Sequence, residues 1–141
     1  MVLLVFACAA ANAQSARIVK VLPHFLDLKG RNAANPSLFD RDAYQQELRG
    51  SPTNRSALRF DVQWKAHGYD TLKLRLEAKG LKGKQSTAMN LEQPIRSGFF
   101  SKWSGLTLGG EDYKNFGELI SWRATLMDGT NVVAEHKSFL W

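Results

Sequence analysis

LISWRATLMDGTNVVAEHK, Leu119 to Lys137, reads as two β-strands joined by a tight turn. Apolar Ile120, Trp122, Ala124 and Leu126 alternate with Ser121, Arg123 and Thr125. A period of two sends successive side chains to opposite faces of a sheet, so the segment has one oily and one wet face. Asp128-Gly129 then interrupts the pattern. A two-residue hairpin loop needs positive φ, which glycine adopts at no steric cost, so Asp-Gly between two strand patterns signals a hairpin.

The same device recurs upstream. In LRFDVQWKA (58–66), Leu58, Phe60, Val62, Trp64 and Ala66 form the apolar face. In LKLRLEAKG (72–80), Leu72, Leu74, Leu76 and Ala78 do so, and GLKGKQS (80–86) is a basic turn. TAMNLEQPI (87–95) alternates Thr87, Met89 and Leu91 and is expected to end at Pro94. ARIVKVLPHFLDLKG (16–30) carries Pro23, which cannot donate to a ladder and so marks an edge strand or a kink. NPSLFDRDAYQQELRG (35–50) reads as the one helix, about residues 38–49. Ser37 is the expected N-cap with Asp40 completing a capping pattern, Gly50 the left-handed stop, and Leu38, Tyr44 and Leu48 the side laid on the domain. GGEDYKNFG (109–117) is expected to be a glycine-bounded loop.

About seven short strands with turn signals every 8–12 residues indicate an all-β antiparallel sandwich. Their order resembles the immunoglobulin or fibronectin type III arrangement, with the helix inserted in the first connection. The resemblance covers residues 17–141 and concerns the fold. The Cys–Trp–Cys signature of antibody domains is missing, and Trp64 falls one strand earlier than the antibody tryptophan. The ending WRATLMDGTNVVAEHKSFLW (122–141) is similar to that of secreted bacterial proteins. A small β-barrel is the alternative. It would arise if the Leu58 and Leu72 strands paired as a hairpin through His67–Tyr69, setting Asp61 opposite Arg75 and Arg59 opposite Glu77.

With 141 residues, 44% of them hydrophobic and 23% charged, the chain reads as a single domain with a core of its own. Residues 1–13 are apolar and uncharged and end in Ala-Asn-Ala, the pattern of a secretory signal peptide without its basic start. The run is too short to span a bilayer, which needs about 20 residues. Cleavage after Ala13 leaves residues 14–141 as a secreted or periplasmic domain with no cysteine. Cys8 sits in VFAC, a partial lipobox, so a lipid anchor there is the minor alternative. For an exported chain the net charge of +6 first of all keeps the domain soluble; as a recognition signal it points to acidic glycans, anionic lipid head groups or acidic envelope proteins, not nucleic acid.

Chemistry is sparsely marked. His24, His67 and His136 have no ligand spacing, so no metal is expected, and no other cofactor has a motif. No GxSxG elbow or mature cysteine offers a nucleophile, and Glu111/Asp112 sit together as solvated acids. No catalytic residue is therefore named. The aromatic stretch FFSKWSGLTLGG (99–110) has two readings. In the favoured one, a bulge at Gly105 turns both Trp103 and Leu106 into the core. In the other, Phe100 and Trp103 project with Arg96 and Lys102 beside them, as flat faces and donors suited to sugar rings or a partner's apolar anchor. Arg59, Lys65, Lys73, Arg75 and Lys79 form a candidate basic strand face. The expectation is a non-enzymatic binding module of the bacterial cell envelope with a protein partner. A glycan-binding domain is the alternative, and an enzyme without a recognisable site comes third.

Overall fold

The computed structural model describes residues 13–141, so Cys8 and the expected leader up to residue 12 lie outside the described residues. The elements are β1 (Ser15–Asp27), α1 (Leu38–Gly50), a 3-10 turn (Pro52–Asn54), β2 (Arg55–His67), β3 (Leu72–Lys82), β4 (Gln85–Ile95), β5 (Lys102–Gly109), α2 (Gly110–Phe116), β6 (Glu118–Asp128) and β7 (Asn131–Lys137). They form two antiparallel sheets, ordered β1-β2-β5 and β4-β3-β6-β7, packed as a β-sandwich. The barrel alternative fails because β2 and β3 lie in different sheets. Their two apolar faces meet across the core instead of side by side, so Asp61 and Arg75 are never cross-strand neighbours.

Leu58, Phe60, Val62, Trp64 and Ala66 of β2 are all buried, as are Leu72, Leu74, Leu76 and Ala78 of β3. Leu106 and Leu108 of β5 and Ala124 and Leu126 of β6 complete the same cluster. Each large aliphatic or aromatic side chain so buried contributes about 1.5–3 kcal/mol of transfer free energy. The Trp64 indole N–H has a partner, donating to the Ser104 hydroxyl at 2.9 Å. The closing hairpin forms as expected: Asp128 pairs with Asn131 around Gly129-Thr130. Gly129 has φ +59°, and among the described residues no non-glycine residue has positive φ, so only the first loop position is left-handed, the pattern of a type II′ turn.

Edge strand β1 holds Pro23 opposite Phe60 without interruption. The helix lies against it through a polar clamp. Buried Gln45 accepts from the Phe25 N–H at 2.7 Å and donates to the Phe25 carbonyl at 2.9 Å. A side-chain amide thus takes the place of a neighbouring strand. Asp27 anchors the following loop, accepting from the Lys29 and Arg31 amides, the Arg31 Nε and the Tyr44 hydroxyl at 2.7–3.0 Å. Burial alone would raise its pKa, but those donors prevail and hold the carboxyl far below the usual range.

Several local expectations are corrected. Ser37 occupies the N-cap without a side-chain cap bond, and Gly50 is the last helical residue, not a left-handed stop. Leu38 is exposed; the inward side is Gln45 and Leu48. Pro94 does not end β4, which runs to Ile95 on a sheet edge where a missing N–H costs nothing. Residues 110–116 form α2, whose Phe116 plugs the core. The β3–β6 register slips between Lys79 and Gly80, skipping Ile120. That bulge leaves Ile120 exposed and Ser121 buried, reversing the simple alternation at the start of β6.

Candidate functional site on the outer face of the three-stranded sheet

Strand β5 carries no bulge. Gln63–Trp103, Asp61–Gly105, Phe60–Leu106 and Leu58–Leu108 pair in unbroken register. Leu106 and Leu108 face the core, so Trp103, three residues from Leu106, must face out. It is 53% exposed, which corrects the core reading.

Trp103 stands on a grid of outward residues. Lys20–Gln63–Trp103, Leu22–Asp61–Gly105 and His24–Arg59–Thr107 form three cross-strand rows. A concavity of about 300 Å³ opens there, lined by Trp103, Leu22, His24, Arg59 and Asp61 of the sheet and by Asn32 and Arg41 from the α1 side. Asp61 is its hub. Arg59 donates Nε to Oδ1 at 2.9 Å and a terminal nitrogen to Oδ2 at 3.1 Å. His24 Nδ1 lies 2.7 Å from Oδ2. An ionised carboxylate only accepts, so Nδ1 carries the hydrogen. Burial by itself raises the Asp61 pKa, but the His24 and Arg59 bonds outweigh it and hold the carboxyl below its ordinary value. Gly105 eases this packing: a Cβ there would lie 3.3 Å from Asp61 Oδ1 and 3.4 Å from Arg59 Cδ, so the fork would have to give by a few tenths of an ångström. The bare backbone lets the fork lie flat.

Chemically, the patch offers a half-exposed aromatic face beside Arg59 and His24, both fixed on Asp61, with Arg41 and Asn32 at its edge. Asp61 has both oxygens engaged, so it orders its neighbours instead of serving as a free base or nucleophile.

The other residues singled out from the sequence do not converge on it. Lys102 pairs with Trp64 and so points opposite to Trp103; its ammonium lies 5.8 Å from the Trp64 ring and donates to the Arg96 carbonyl at 3.3 Å. Arg96 and Phe100 are exposed at the sandwich end, where neighbouring Phe99 packs against His67 with ring centroids 5.1 Å apart. The basic face divides too. Arg59 and Lys65 belong to one sheet and Lys73, Arg75 and Lys79 to the other, so the two groups lie on opposite sides of the sandwich. Most of these charges are engaged: Lys73 and Arg75 share Glu92, whose carboxyl their hydrogen bonds hold below its usual pKa. The Lys79 ammonium sits 4.1 Å over the Trp141 ring, latching the chain end.

His24, Asp61, Asn32 and Arg41 were missed as site residues. Outward polar residues on adjacent strands carry no signal until the strand register is known.

Among the described residues, no helix is long and apolar enough to cross a membrane. The chain matches no protein-family profile and no curated protein. It is similar in fold to a crystal structure from Akkermansia muciniphila, with a TM-score of 0.55 and 10% identity over 89% of this chain and 70% of that one.

Proposed function

We propose that the chain is an exported, non-enzymatic recognition module of the bacterial cell envelope, and that it holds a saccharide ring against Trp103. One observation carries this reading: a half-exposed tryptophan stands beside a rim of side chains already fixed by hydrogen bonds. An indole face suits the C–H face of a sugar, and Arg59, Arg41 and Asn32 suit its hydroxyls. The apolar, cleavable-looking start of the sequence supports export. The strand order supports an immunoglobulin-like domain of the fibronectin type III sort, with the fourth strand joined to the sheet of the third.

A second reading, a protein partner, has its own support in Phe99 and Phe100, which are 75% and 80% exposed at the sandwich end. One experiment separates them. Residues 14–141 are passed over immobilised envelope polysaccharide and, separately, over solubilised envelope proteins. Trp103→Ala is expected to weaken polysaccharide retention at least tenfold with an unfolding midpoint within about 2 °C of wild type, because the side chain is outside the core. Equal retention of wild type and Trp103→Ala overturns the saccharide reading. Protein capture that Phe99→Ser/Phe100→Ser abolishes establishes the second.

A further inference from the structure

Toward the start of β2, about 13 Å from Arg59 at the strand rise, a second concavity of about 430 Å³ opens beside α2. Its lining includes Leu28, Pro52, Arg55, Tyr113, Lys114 and Glu118.

Arg55 is the anomaly here. Its side chain is 3% exposed, yet a guanidinium cannot shed its charge, and burying it is unfavourable unless its donors are met. They are only partly met. One terminal nitrogen donates to Glu118 Oε1 at 3.0 Å, and the guanidinium carbon lies 4.3 Å over the Phe25 ring. Arg55 Nε is buried without a hydrogen-bond partner. Glu118 is 64% exposed in its side chain and reaches a single nitrogen, short of the two-pronged grip a carboxylate gives guanidinium. Lys114 adds a second cation, tied only to Glu111 at 3.2 Å in an exposed pair of little strength. Tyr113 is half-buried, and burial raises its pKa, so its hydroxyl keeps its hydrogen at neutral pH. Glu111 and Glu118 match the two cations in number, but only Glu118 reaches Arg55, leaving its guanidinium with an unmet donor and an incompletely paired charge. Beside that charge lie the exposed Leu28 and the Pro52 ring.

We propose that this cavity binds a small amphipathic carboxylate: its head group on Arg55 and Lys114 with the Tyr113 hydroxyl donating, its apolar body on Leu28 and Pro52. A carboxylate supplies the acceptor that Arg55 Nε lacks, and a body of one ring or a short alkyl chain fits the volume. The site is separate from the Trp103 patch and does not depend on its function.

The test uses 15N-labelled residues 14–141 and 3-phenylpropionate as probe, with 3-phenylpropanol as the neutral isostere and inorganic phosphate as the bare anion. The Arg55 Nε–Hε resonance is expected to move on titration with the acid, with a Kd in the millimolar range or below. The alcohol and phosphate should each bind at least tenfold more weakly. Lys114→Gln and Tyr113→Phe should each weaken the acid about fivefold while leaving the unfolding midpoint unchanged, and Leu28→Glu should abolish binding. An Nε–Hε resonance unmoved by 20 mM acid in a folded sample overturns the proposal. So does equal binding of acid and alcohol, or tighter binding of phosphate than of acid.

Discussion

Removing the Asp61 carboxylate tests the organisation of the outer face of the β1-β2-β5 sheet. In Asp61→Ala three hydrogen bonds vanish, but their donors fare differently. The Arg59 side chain is 30% exposed and can turn to water. The His24 side chain is 9% exposed and cannot, so its Nδ1–H is left dry. One buried unsatisfied donor costs about 1–3 kcal/mol, and the lost half-exposed ion pair adds about 0.5–1 kcal/mol. The expected destabilisation is therefore about 1.5–4 kcal/mol at pH 7, read as a lowered midpoint in guanidinium chloride with unchanged slope. Asp61→Asn, which keeps one acceptor, should lose about half as much. The pH dependence supplies a second check. The folded-state pKa of Asp61 lies below its unfolded value, so its stabilisation is present above about pH 4 and is lost as pH falls through the folded value. The gap between wild type and Asp61→Ala should accordingly shrink by pH 2.5. A destabilisation under about 0.5 kcal/mol at pH 7, or a gap that persists in acid, would refute the reasoning.

Three further outcomes follow from other contacts. Gly105→Val places a branched side chain against Arg59 and Asp61, so it should abolish saccharide retention while costing about 1–2 kcal/mol, measured by binding and denaturation on one sample. Asp27→Ala strips four donors of their acceptor; it should cost about 3 kcal/mol or more and raise amide exchange across α1 beyond that of the β3-β6 pair. The depressed Asp27 pKa gives its contribution the same direction, present above about pH 4 and lost as pH falls. Phe60→Ala empties the centre of the core and should cost about 3–5 kcal/mol, a drop of about 10 °C or more in Tm.

The strands were legible because alternation is a local property. Each of Leu58–Ala66 and Leu72–Ala78 carries its inward and outward phase in its own side chains, and the Asp-Gly turn carries its backbone requirement in one residue. The helix was legible too, in its place and in inward Leu48 and half-buried Tyr44, if not in its cap bond, in exposed Leu38 or in buried Gln45. Trp103 shows where this stops. Its three-residue offset from Leu106 already implied opposite faces for a straight strand, but a bulge at Gly105 would have cancelled that implication. Only the unbroken β2–β5 register decides the matter. Ile120 is the converse, a residue with perfect alternation turned outward by a bulge that answers to its partner strand.

What the amino-acid order determined by itself is the set of pleated segments and which side of each is oily, since both follow from the geometry of consecutive residues. The tertiary structure alone decided which segments pair, and with that the meeting of His24 with Asp61, of Arg55 with Glu118, and of Trp103 with its polar rim. The first two contacts join residues 37 and 63 positions apart, and the rim of Trp103 draws on residues 42 to 79 positions away. Their partners are selected by sheet register and by the sandwich closing on its core, neither of which is written in any one segment.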